Sequence, residues 1–489
     1  MRITNAMMIN NTLNNINKNK GQMDKLNTQL STQKKIQRPS EDPITAIRSL
    51  RYRSTLSEVE QYLDRNIPDA RSWLEITDDA LENTESLVED IVYYCQQGSN
   101  GINDTANRAT IVETLSQYRN QIYADANADV AGRTIFTGYK TDSTLTYTED
   151  EPLTSFSITQ NLTAEEIDRF SMVTNSVDVT GINVTNIPVS VAGYNTPNYE
   201  SVYRLRLGYS DLETTNFSID IGGVAVNPAD IQTRLSTASN AYTPGADEIC
   251  YVYDTGELIF GSNMYNSAVT GNTIDVTYTK TGFLKNELKP ENYFDCTDIT
   301  DPLNTVVYTK ASQDINYTVN FNQTLKVNTE GKEVFTHDMT RDIDDLSESV
   351  SNVKDIEDKI VKLQELLETQ TSGTAQYNSL VSLIELSNVE LDYAKENMQQ
   401  MFEKTITKFQ EHQERVSLKK SDNGARSKRL DLNEERLKSQ ATSVTKLKTA
   451  NEDVDLTAVA VEISEAENIY DASLAAAAKV VQKTLLDFI

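Results

Sequence analysis

Two hydrophobic spacings alternate along this chain. Near its start Ile9, Ile16, Met23 and Leu30 recur every seven residues, with Leu13 and Leu26 between them. That is the seam of a helix made to lie along a second helix. At the far end Val459, Ile463, Ala466, Tyr470, Leu474, Ala477, Val481, Leu485 and Phe488 are spaced by threes and fours, one stripe of an α-helix. A third helical pattern runs from about Ile44 to Gln97, with Leu56, Val59, Leu63, Ile67, Ala70, Leu74, Leu81, Val88 and Ile91 on one side. Pro68 sits inside it and predicts a kink or a fresh helix start.

Between the helical ends the period drops to two. In SVYRLRLGYS the residues Tyr203, Leu205, Leu207 and Tyr209 alternate with Arg204 and Arg206, and in NFSIDIGG Phe217, Ile219 and Ile221 alternate with small or acidic residues. EICYVYDTGELIFG pivots on Asp254, Thr255 and Gly256 as a hairpin would, and NTIDVTYTK and INYTVNFNQTLKVN continue the alternation. The pattern predicts antiparallel strands with one wet face. Proline agrees: seven of the ten lie between Pro152 and Pro302, and none follows. The fold class expected is therefore α+β, with long antiparallel coiled-coil arms from both chain ends and a β-rich domain inserted between them. The segments are 1–42 (a coiled-coil helix pairing with 454–489), 43–148 (a helical arm), 149–339 (the β-rich domain), 340–453 (the returning arm) and 454–489 (the closing helix).

The stretch IQRPSEDPITA breaks the first helical run. Pro39 stops one helix and pushes Arg38 out of the α region. Ser40 or Asp42 can cap the next helix, with Pro43 at its first position, where a missing N–H costs nothing. Pro39, Ser40, Asp42 and Pro43 thus form an interhelix joint. Each chain end carries an apolar stripe with nothing local to cover it. Each is expected to order against the other and against neighbouring subunits.

Charge removes some functions. The net charge is −28, which argues against nucleic acid and against an anionic bilayer as partners. It is unevenly spread: residues 1–65 hold 11 Lys or Arg against 6 Asp or Glu, and residues 141–340 hold 10 against 27. No apolar run of membrane-spanning length occurs, so membrane insertion is not expected. The opening MRITNAMMINNTLNNINKNK lacks the apolar centre of a secretory signal. An exported form is expected to use a route without a cleaved peptide.

Chemistry is sparse. Cys95, Cys250 and Cys296 form no C-x-x-C pair and no disulfide framework is expected. The two histidines, His337 and His412, are 75 residues apart and read as structural or solvent-facing. Asp295, Asp298 and Asp301 lack EF-hand spacing and read as a solvated loop. No P-loop, dinucleotide loop or nucleophile elbow is found. Trp73 and Cys95 fall on helical apolar faces as core residues, and Asp453 and Asp455 stand where they can cap the last helix. No catalytic residue, cofactor or metal is expected.

Several stretches resemble the flagellin superfamily of bacterial flagellar axial proteins, and within it most closely the hook-associated protein 3 family. They are MRITNAMMINNTL, STQKKIQRPSEDP, QYLDRNIPDARSWLEITDDAL and GRTIFTGYKTD, then GARSKRLDL, NEDVDL and the closing YDASLAAAAKVVQKTLLDFI. The resemblance covers about 1–145 and 330–489, and more weakly the insert. Three positions depart from it: the family usually has Gly where Gln33 stands, Asn at Lys428 and an ordinary helical residue at Pro68.

The resemblance implies a structural subunit of the bacterial flagellum, extracellular at the hook–filament junction and exported unfolded by the flagellar type III apparatus. Its implied partners are identical copies in a ring, the first hook-associated protein, flagellin and an export chaperone. The assembly interface is then expected at Ile9, Leu13, Ile16, Met23, Leu26 and Leu30, facing Val459, Ile463, Tyr470, Leu474, Val481, Leu485 and Phe488. A flagellin is the alternative within the same architecture. An extracellular enzyme or adhesin working through residues 150–335 is a third reading, for which the sequence offers no catalytic set.

Overall fold

The computed structural model describes residues 5–101, 103–238 and 240–482. Four helices come first: α1 (Asn5–Thr32), α2 (Pro43–Gln61), α3 (Ile67–Gly98) and α4 (Thr105–Asp125). The run is interrupted ahead of Pro68, and α3 starts afresh at Ile67 with Pro68 in its first turn. A single π-helical segment, Tyr62–Asn66, joins α2 to α3, and the Ile67 N–H donates to the Tyr62 carbonyl. Pro68 has no N–H for the carbonyl four residues back, and one turn of wider winding absorbs that missing bond. Of the stripe expected on this run, Val59, Ile67, Ala70, Leu74, Leu81, Val88 and Ile91 are buried, as are Trp73 and Cys95, whereas Leu56 and Leu63 are half-buried.

Strands follow in the order β1 (Asp129–Val130), β2 (Arg133–Thr134), β3 (Glu151–Thr163), β4 (Asp168–Thr174), β5 (Asn198–Arg206), β6 (Ser218–Ile221), β7 (Val224–Ala225), β8 (Ile231–Arg234), β9 (Ile249–Val252) and β10 (Glu257–Phe260). Helix α5 (Ser262–Gly271) leads into β11 (Thr273–Phe283), β12 (Asp295–Asp298), β13 (Val306–Tyr308), β14 (Asn316–Asn320) and β15 (Gln323–Lys326). The chain returns through α6 (His337–Glu368), α7 (Ala375–Glu452) and α8 (Leu456–Gln482). The architecture is mixed α+β, with long helices at both ends and a β-rich middle.

Two sheets carry the middle, ordered β13-β12-β3-β11-β6-β7 and β4-β5-β10-β9-β8. The hairpin anticipated at Asp254–Gly256 is there, with Val252 opposite Glu257. Gly256 sits at φ +66, and a Cβ on it would meet the Tyr209 carbonyl, so glycine is required at that turn. Two features differ from simple antiparallel strands with a wet face. β8 and β9 run parallel. Every residue of β9 and β10 is buried, because one face packs in the inter-sheet core with Tyr251, Leu258 and Phe260 and the other holds Val202, Cys250, Val252 and Ile259.

The wet face expected for Arg204 and Arg206 on β5 is also covered. Arg204 binds Glu257 at 2.7 Å and Asp345 at 2.6 Å, while Arg206 binds Asp342 at 2.5 Å and Asp345 at 3.1 Å. Two acidic residues of α6 lie over the strand, and a guanidinium enters such a site only when it is paired.

The chain groups into two compact units. One comprises 1–70, 317–325 and 428–489, and the other 71–316 and 326–427. These units cut across the five expected segments, because α3 and α7 each contribute residues to both.

Candidate assembly interface

The first unit holds the chain ends together. α1 and α8 run antiparallel, with Leu26 buried against Val459, Ile463 and Ala466, and with Met23 and Val454 packed on that cluster. Farther along, the Asn19 amide donates to the Ser473 hydroxyl at 2.8 Å. Asp455 caps α8, accepting from the Thr457 and Ala458 amides at 2.9 and 3.3 Å. Val454 just before the cap and Val459 one turn in then form a hydrophobic staple that sets how the chain enters α8. Burying Leu26, Val459 and Ile463 contributes about 1.5–3 kcal/mol each.

The expected interface residues separate into three groups. Met23, Leu26, Val459 and Ile463 meet in the cluster just described. Ile9, Ile16 and Tyr470 are half-buried. Leu13, Leu30 and Leu474 keep 52, 40 and 42% of their surface open. Leu485 and Phe488, and the side chain of Val481, lie outside the described residues. Val454 was not anticipated as an interface residue; its signal was an apolar residue directly ahead of a capping Asp.

The joint is built around Asp42. Its carboxylate accepts from the Ile44 and Thr45 amides at 3.1 and 3.2 Å, and Pro43 takes the first helical position. Hydrogen bonds from the Thr45 hydroxyl and amide hold the Asp42 carboxyl below its ordinary value. Pro39 and Ser40 are exposed, and the cap falls to Asp42 rather than Ser40. Gln33, directly after α1, takes φ +57, the left-handed region where glycine is usual.

This joint pairs with the second one, between α7 and α8. The Lys35 N–H donates to the Glu452 carbonyl at 2.8 Å and the Val454 N–H to the Gln33 carbonyl at 3.1 Å, an antiparallel bridge centred on Lys34 and Asp453. Side chains lock it. Lys34 pairs with Asp453. Glu452 receives Arg53 through Nε and Nη2, each at 2.8 Å, and also the Ser49 hydroxyl. The Arg53 hydrogen bonds, with Ser49 and Lys34 behind them, hold the Glu452 carboxyl at about 2.

In the second unit the histidines, cysteines and acidic residues singled out by the sequence have the following surroundings. His412 lies buried on α7 with Nε2 3.2 Å from Asp342 Oδ2, inside the Arg206 cluster. Burial opposes the charge on Asp342, yet Arg206 and the His412 hydrogen bond keep its carboxyl far below the usual range. His337 is enclosed by Tyr209, Tyr293 and Phe294, and burial pushes it down to about 3. Asp298 and Asp301 accept from backbone amides two residues ahead, as turn-forming aspartates do. Cys95, Cys250 and Cys296 are all buried and unpaired. Among the described residues no cluster suited to a metal ion occurs, and no helix is long and apolar enough to cross a membrane.

The described chain thus pairs its first helix with its last, α1 with α8, around a β-rich middle. Residues 3–141 match the family described as the bacterial flagellin N-terminal helical region. The chain is 31% identical over 147 residues to flagellar hook-associated protein 3 of Salmonella typhimurium, a stretch covering 29% of this chain and 45% of that protein. It is 28% identical over 127 residues to a flagellin of Clostridium tyrobutyricum, covering 26 and 33% of the two chains. The chain thus spans less than half the length of these relatives. A solved structure titled as a putative flagellar hook-associated protein from Vibrio parahaemolyticus aligns with 84% of this chain and 100% of that one at 12% identity, with a TM-score of 0.36. Over residues 3–141 the chain is similar to the flagellin N-terminal helical region, and over 147 residues to flagellar hook-associated protein 3, as its sequence motifs suggested.

Proposed function

We propose that this chain is a structural subunit of the bacterial flagellum that joins hook to filament and polymerises through its paired terminal helices. The observation that carries the reading is the antiparallel closure of α1 on α8 at Leu26, Val459 and Ile463, with Leu13, Leu30 and Leu474 of the same two helices left open. An apolar seam only partly filled within one molecule is suited to completion by neighbouring molecules. The similarity to hook-associated protein 3 supports the junction over other places in the flagellum.

In this reading copies form a ring between the first hook-associated protein and flagellin. The subunit travels through the flagellar type III apparatus with a chaperone on its C-terminal segment, and it performs no catalysis. Antibody-labelled microscopy of intact producing cells tests the reading. Label confined to the base of each filament is the expected result, and absence of label from flagella overturns it. The similarity to a clostridial flagellin favours one second reading, a bulk filament subunit, for which label would run along the whole filament.

A further inference from the structure

The α1–α8 pair leaves a groove of about 90 Å³ on its flank. Asn19 and Gln22 of α1 line one side, and Glu462, Glu465, Ala466 and Ile469 of α8 the other. Both glutamates are exposed, and neither enters an ion pair among the described residues. Two uncompensated carboxylates flanked by two amide oxygens make a receptor for a guanidinium, whose five N–H donors need acceptors from several directions. Beside these glutamates two apolar residues of α8 are open: Val461 and Ile469 keep 55 and 54% of their surface exposed.

A matching surface lies on α2. Ile44, Ile47 and Leu50 are 65, 52 and 64% exposed and, at spacings of three, share one helix face. Arg48 and Arg51 stand on that same face, exposed and without an ion-pair partner among the described residues. One surface combines exposed apolar residues with exposed cations, and the other combines exposed apolar residues with exposed carboxylates and a cavity.

We propose that α2 of one copy docks on the α8 face of a second copy, with Arg48 or Arg51 entering the Asn19–Gln22–Glu462–Glu465 groove. The proposal rests on the polymer-subunit reading and names the contact it uses. Because the two surfaces differ, the contact is heterologous: each copy offers one surface to either neighbour, and the array closes into a ring or climbs as a helix. Its electrostatic part is screened by salt.

Charge reversal in the purified full chain tests the contact by sedimentation at low salt. Arg48→Glu with Arg51→Glu should weaken self-association about tenfold or more, and Glu462→Arg with Glu465→Arg should do the same. An equimolar mixture of the two variants should associate like the unmodified chain, since every α2 then meets an α8 of opposite charge. Hydrogen exchange in each variant checks that the α1–α8 pair stays intact. A mixture no more associated than its components, or an unmodified chain that stays monomeric at low salt, overturns the proposal. The functional reading fails separately: charge-dependent association without label in flagella refutes that reading and leaves the contact standing. Flagellar label unaffected by either reversal refutes the contact alone.

Discussion

Glu452, the last residue of α7, grips Arg53 of α2 by both arms of its guanidinium, Nε and Nη2 each lying 2.8 Å from a carboxylate oxygen. Residues 399 positions apart in sequence are thereby fastened beside the point where α1 has ended and α8 begins. The pair sits beside the backbone bridge from Lys35 to Glu452 and from Gln33 to Val454.

Acid should loosen this joint. The folded value of Glu452, about 2, lies below its ordinary 4.5. Its contribution is therefore complete above pH 4.5 and is lost as the pH falls toward 2. Exchange of the Lys35 and Val454 amides should accelerate across that window. Glu452→Gln should flatten the dependence and weaken the joint at neutral pH by about 2 kcal/mol.

Gln33 occupies left-handed backbone, which costs a side-chain-bearing residue about 1 kcal/mol. Gln33→Gly should recover about that much, read as slower exchange at the same two amides. Faster exchange would show that the side chain, rather than the backbone, matters there.

Ile463 is buried against Leu26 and Val459. Ile463→Ala should destabilise the end-helix pair by about 3 kcal/mol. Exchange in α1 and α8 should rise, while the unfolding transition reported by Trp73, in the other unit, stays in place.

In the second unit Arg206 and Asp342 are both nearly enclosed. Removing either partner strands a buried charge, so Arg206→Ala and Asp342→Ala should each cost about 3–5 kcal/mol in denaturant unfolding. Replacing both with apolar residues should cost less than the sum of the two.

The thiols should be inert. Burial pushes Cys95 and Cys296 up to about 12 and Cys250 to about 11. The thiolate is the reacting form, so a thiol reagent at pH 8 should modify none in the native chain and all three in denaturant.

Local chemistry was readable without coordinates wherever it depends on neighbours in the chain. The heptad of α1, the stripe of α3, the helix start at Pro43 with Ser40 or Asp42 as its cap, a cap from Asp453 or Asp455 and the hairpin at Asp254–Gly256 follow from periodicity and backbone preference. What escaped depends on distant pairing. Arg204 and Arg206 read as a wet strand face because their alternation cannot report that Asp342 and Asp345, far along the chain, will cover them. His412 could have been placed from its helical spacing between Phe409 and Val416, both buried, but not its partner Asp342.

The sequence by itself determined that long helices flank a strand-rich middle and that both ends bear apolar seams, since side-chain period and backbone preference are local properties. Only the tertiary structure decided which positions those seams bury, Leu26 and Ile463 rather than Leu30 and Leu474, and that the two joints lock together through Glu452. Register between distant segments is set by the sum of many contacts, and no single stretch of chain contains that sum.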